Sequence, residues 1–198
     1  MRGQWTVGAV MACLLGACAS IQTEIAPVSI GAPVMAESAF ESDFGMLADL
    51  VGTRWRGEPG EADKQHGQPA DYSEWYWDLG GSVLVNKHVL ADGSYGGVTY
   101  VQKTKATGEL DYVYITSAGF RTTGSFTLGA DGSWSAYEEV TGLNDIIGVR
   151  STGRIGEDGV LVSVSEFETR DGWKPGHTFK YERTTDPMPT LVPDLVIE

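Results

Sequence analysis

Three histidines, a set of carboxylates and a series of aromatic rings are the residues of this 198-residue chain with chemistry to offer. His66, His88 and His177 lie too far apart for the HxH or HExxH spacings that hold a metal. His88 shares a strand face with Asn86, so both can point into a cavity; a surface position suits His88 equally. Trp75, Trp77, Tyr100, Tyr112, Tyr114 and Trp134 would stack over a flat or apolar guest, and each also suits a barrel core. Arg150, like Arg121, could orient a ligand carboxylate or pair on an acidic surface. Asp92, Asp131, Asp158 and Asp171 each precede glycine, where they serve turns. Glu138 and Glu139 form one charged pair on a strand. Glu166 and Glu168 share a face, and adjacent like charges favour solvent over an acid–base dyad. There is no Gly-x-Ser-x-Gly elbow, phosphate loop or dinucleotide fingerprint. The residues therefore point to no catalytic set, no metal and no cofactor, and to a small apolar or amphipathic molecule as guest.

The elements that must position these residues are strands. From residue 53 onward, turn signals such as Gly80-Gly81, Asp92-Gly93 and Asp131-Gly132 recur every 11 to 16 residues. The four Asp-Gly pairs suit type I′ hairpin turns. Between the turns lie ten runs rich in Val, Ile, Tyr, Trp and Thr: 53–58, 71–78, 82–90, 95–103, 110–117, 121–128, 133–140, 145–155, 160–169 and 177–183. Hairpins joined in series make an all-β, up-and-down antiparallel sheet. Ten twisted strands close on themselves, and more than eight enclose space. Ahead of them, Phe40, Phe44, Leu47 and Leu50 recur at helical spacing and Gly52 ends the run. A short helix of this kind would plug one end of the barrel.

The remaining segments give an address. Arg2, the apolar run 7–15 and Leu15-Gly16-Ala17-Cys18 are similar to a bacterial lipoprotein signal, with Cys18 as the lipidated residue. An ordinary cleavage site is the competing reading. Residues 18–38 then read as a tether that could reach roughly 60 Å, residues 39–184 as the barrel, and 185–198 as a proline-containing tail, disordered or docked. The expectation is a membrane-anchored envelope protein facing the periplasm, or a soluble periplasmic or secreted one. The formal charge of -13 argues against nucleic acid as a partner. Both cysteines, Cys13 and Cys18, lie in the leader, so the domain has no thiol nucleophile and no disulfide.

At residues 51–58, VGTRWRGE resembles the opening motif of calycin-type barrels, the lipocalins, fatty-acid-binding proteins and nitrobindins, which carry Gly-x-Trp after a short helix. Here the spacing is Gly-x-x-Trp. Glu74-Trp75, Leu79-Gly80-Gly81 and the run 179–183, FKYER, are similar to bacterial proteins of calycin-like shape. The resemblance implies that Trp55 lies across the closed end of the barrel against Arg183, a structural pair. It also implies a minority reading, haem held through His177, although the histidine-x-histidine run of nitrobindins is missing. Two further readings of the same barrel are an enzyme that uses polar cavity residues and a packed structural protein without a ligand.

Overall fold

A computed structural model describes residues 41–192. Ten strands form one closed antiparallel barrel: β1 (Arg54–Pro59), β2 (Asp71–Asp78), β3 (Val83–Leu90), β4 (Gly96–Lys103), β5 (Leu110–Thr116), β6 (Arg121–Leu128), β7 (Ser133–Thr141), β8 (Gly148–Ile155), β9 (Leu161–Thr169) and β10 (Gly172–Thr184). Each strand pairs with its neighbours in sequence, and β1 pairs with β10 to close the circle, with Trp55 opposite Arg183. This is the expected up-and-down architecture, and it is consistent with a calycin-like fold.

Alternation decides which side chains enter the barrel, because successive Cβ atoms point to opposite faces. Asp71, Ser73, Trp75 and Trp77 of β2 point inward, whereas Tyr76 is exposed. On β9 the hydrophobic sense is reversed. Ser163 and Ser165 line the interior, while Val162 and Val164 are 37% and 41% exposed. A hollow barrel has no dense core to reward valine on the inside, so register follows the hairpin connections. Two glycines make room for inward rings. A Cβ at Gly153 would collide with the Trp134 indole, and one at Gly97 with the Tyr114 ring.

The plug is less regular than its spacing suggests. It consists of α1 (Glu41–Phe44) followed by a 3₁₀ segment, Gly45–Leu50. Gly45 has φ of 49°, which a continuous α-helix does not allow. The apolar stripe still seals the barrel end, since Phe44, Met46, Leu47 and Leu50 are buried against Trp55, Leu84, Val101, Leu110 and Leu161. The Trp55 indole N–H donates to the Leu50 carbonyl at 3.3 Å, and the Arg183 guanidinium lies 5.2 Å from the Trp55 ring. The first and last strands are thus tied to each other and to the plug. A second one-turn helix, α2 (Glu61–Gln65), was absent from the sequence pattern. Phe40 and the leader with Cys18 lie outside the described residues.

The Asp-Gly turns are not of type I′. That type needs positive φ at both central residues, yet among the described non-glycine residues only Leu79 has positive φ. Instead the Gly93, Gly132 and Gly159 N–H groups donate to the carbonyls of Leu90, Gly129 and Gly156. Each Asp carboxylate accepts the N–H two residues on: Ser94, Ser133 and Val160 to Asp92, Asp131 and Asp158. In each a type I turn ends on a left-handed glycine; the loops 130–132 and 157–159 have three residues, and the loop 91–94 has four.

Beyond β10 the chain to Val192 docks on the barrel wall. The Arg54 guanidinium donates to the Asp186 carbonyl, the Tyr72 hydroxyl to its carboxylate, and the Val192 N–H to the Gly93 carbonyl at 2.9 Å.

Candidate functional site

The plug closes one end of the barrel and leaves a cavity of about 680 Å³ reached from the other. Its floor is apolar: Leu47, Trp55, Trp75, Phe126 and Trp134. Phe126 and Trp134 pack edge to face there with centroids 5.4 Å apart, and Tyr112 lies tilted against Phe126 at 4.6 Å. Tyr95, Phe120, Leu143 and Ile146 come from loops and turns at the opposite end and rim the mouth.

Between floor and rim lies a polar belt. Asp71 opens β2 and is buried, and its two carboxylate oxygens have separate partners. One accepts the Tyr181 hydroxyl at 2.9 Å and the other meets His88 Nδ1 at 2.8 Å. His88 Nε2 contacts the Tyr114 hydroxyl at 2.7 Å, and that oxygen lies 2.6 Å from the Tyr95 hydroxyl. A carboxylate only accepts, so His88 Nδ1 donates to Asp71, and Nε2 pairs with the Tyr114 hydroxyl. The Tyr114 and Tyr95 hydroxyls extend this chain toward the mouth, and either one can donate to the other. Burial first, then the neighbouring Tyr95 and Asp71, push the Tyr114 phenol far above its ordinary range. Burial and Asp71 do the same for Tyr181. Both phenols therefore stay protonated and act as donors.

Glu138 faces the same space from β7, opposite Val149 on β8. Burial raises its carboxyl above the usual value, although the hydroxyls of Thr122 and Tyr112 partly offset this. The Thr122 hydroxyl donates to it directly. Nearer the mouth, a bulge between Pro175 and Thr178 turns His177 inward. Asp63 of α2 accepts the Thr178 N–H at 3.0 Å and holds His177 Nδ1 at 2.9 Å. Burial works against the Asp63 charge, but those two hydrogen bonds leave its carboxyl below the ordinary value.

Five of the eight ligand-facing residues expected from sequence line this cavity: Trp75, His88, Tyr112, Tyr114 and Trp134. Three do not. Trp77 points inward but packs edge to face on Phe44 in the plug, at 5.0 Å. Tyr100 lies on the outer face with Val85 and Val113, because its strand neighbour Val101 takes the inward place. Arg150 is also outside, where it pairs with Glu166 at 2.6 Å and lies 4.3 Å from the Trp173 ring. Sequence reasoning passed over Asp71, Tyr95, Glu138 and Tyr181. The signal for Glu138 was present, since it shares parity with Trp134 and Ala136.

The likeness to nitrobindins can be tested on His177. Its ring lies at the mouth between Phe167 and Phe179, with Nδ1 on a carboxylate, and carboxylates orient metal-bound imidazoles in this way. The donor set thus fits a single-histidine haem ligand. Among the described residues, no group of three His, Cys, Asp or Glu is placed to hold a bare metal ion. No family model and no curated protein matches this chain.

Proposed function

We propose that this protein binds a small hydrophobic or amphipathic molecule inside the barrel, in a domain tethered to the bacterial envelope through lipid on Cys18. The observation that carries the reading is the cavity of about 680 Å³, closed at one end and lined by rings and a hydrogen-bonded belt. Its size is within the range of about 300–1,000 Å³ typical of small-ligand sites, and its lining joins apolar rings to polar groups that converge on Asp71. Mass spectrometry of small molecules extracted from natively purified protein tests it. A stoichiometric apolar or amphipathic species is expected; its absence, together with no uptake of lipid-like probes, would sink the reading. For the anchor, labelled palmitate is expected on the wild type and not on Cys18→Ser, and unlabelled secreted protein would refute it.

Two narrower readings use the same space. The Asp71, His88 and Tyr114 chain supports an enzyme that moves a proton on the guest. Deuterium uptake into an enolisable ketone such as 2-decanone in heavy water, lost in His88→Ala, tests this; a rate no faster than buffer removes it. Haem at His177 is supported by the Asp63 contact, and haem supplies ligand-binding or redox iron when bound. A Soret band on hemin titration, abolished in His177→Ala, would bear it out, and an unchanged free-hemin spectrum would refute it.

A further inference from the structure

The charges that face the cavity narrow the guest, given the binding reading above. The described lining contains no lysine or arginine. The cationic candidates are His88 and His177, and each is tied to a carboxylate, Asp71 and Asp63. Neither offers a positive charge without a counter-charge. Glu138, in contrast, takes part in no ion pair among the described residues; its hydrogen-bond partners are hydroxyls. On the same inward face of β7, four residues toward the floor, stands Trp134, which meets Phe126, and Phe126 meets Tyr112. The interior thus presents one carboxylate without a cation above a cluster of aromatic faces.

A carboxylate guest would lose its hydration and find no cation, beside a second carboxylate. An ammonium guest would meet Glu138, the negative faces of the rings and the oxygen of Tyr95. We infer that the barrel selects a hydrophobic amine, an organic cation with an apolar body, whose ammonium lies beside Glu138 and whose body fills the floor lined by Phe126, Trp134 and Leu47. The overall acidity of the chain would draw such cations toward the protein from solution, an effect that salt screens. The contact inside the cavity is screened much less, and this difference separates a site from general attraction.

Calorimetric titration of the full chain with decylamine, decanol and decanoate, at low salt and at about 0.5 M salt, tests the inference. Decylamine is expected to bind at least about tenfold more tightly than decanol, and decanoate most weakly, with the order kept at high salt. Glu138→Gln should narrow the gap between decylamine and decanol to less than about threefold. The inference is overturned if decanol or decanoate binds as tightly as decylamine, if salt erases the order, or if Glu138→Gln keeps it. Should none of the three bind, the binding reading itself fails, an outcome distinct from a wrong preference. The wild-type panel decides the matter even where the variant does not fold.

Discussion

Glu138 and Tyr114 are single side chains buried inside a hollow barrel, and each bears on its stability. The folded-state value of Glu138 lies above the ordinary 4.5, chiefly through burial. The folded protein therefore holds this proton longer than the unfolded chain does. The associated stability is complete below the ordinary value and is lost as pH rises through the raised one. Glu138→Gln has no such proton to lose. Its urea midpoint should gain on the wild type between about pH 4 and about pH 8; an equal difference at both pH values would show that the carboxyl is not desolvated. Tyr114→Phe removes the partner of His88 Nε2 and of the Tyr95 hydroxyl together. Leaving those groups unpaired costs about 1–3 kcal/mol. The melting temperature should fall by roughly 3–10 °C, and an unchanged melt would mean that water replaces the phenol. The buried belt was only partly legible in the chain. Glu138 and Glu139 look like one acidic pair when read side by side, whereas alternation sends them to opposite faces.

Eight of the ten strands were legible to within one residue at each end, because turn residues and β-formers alternate at regular intervals, while β8 starts at Gly148 rather than at 145. The strand β10 begins at Gly172 rather than near residue 177, since the bulge at Pro175 lets the strand continue past a proline that cannot donate to a ladder. Inside and outside were harder. Val162 and Val164 outrank Ser163 and Ser165 by hydrophobicity, and in a filled core they would have pointed inward. The plug was visible by its stripe, but the break at Gly45 was not. Its link to the barrel predicts the largest single loss. Trp55 is fully buried, accepts the stacked Arg183 and donates to Leu50. Trp55→Ala should cost about 3–5 kcal/mol and lower the melting temperature by about 10 °C; a differential scan that shows no shift would remove its closing role. At the far end, truncation after Thr184 takes away the contacts of Asp186 with Arg54 and Tyr72, and of Val192 with Gly93. Faster proteolysis of the β3–β4 hairpin is the expected result, and an unchanged cleavage pattern would show that the docked segment protects nothing.

At the scale of the molecule, the barrel is held by burial and ladder hydrogen bonds, with no cysteine after residue 18. Its melting temperature should be the same with and without reductant, which a paired calorimetric scan would check; a drop on reduction would reveal a cross-link between chains through the leader. The seam between β1 and β10 carries one more consequence. During synthesis the earliest strand emerges long before its final partner, so until the last strand leaves the ribosome the sheet has two bare edges, each able to recruit a stranger's backbone. A premature stop anywhere in β10 would therefore yield more than a slightly shortened protein. It would yield an unsealed curl, drained of its interior chamber and prone to aggregate, which makes the final strand a quality checkpoint for the whole chain.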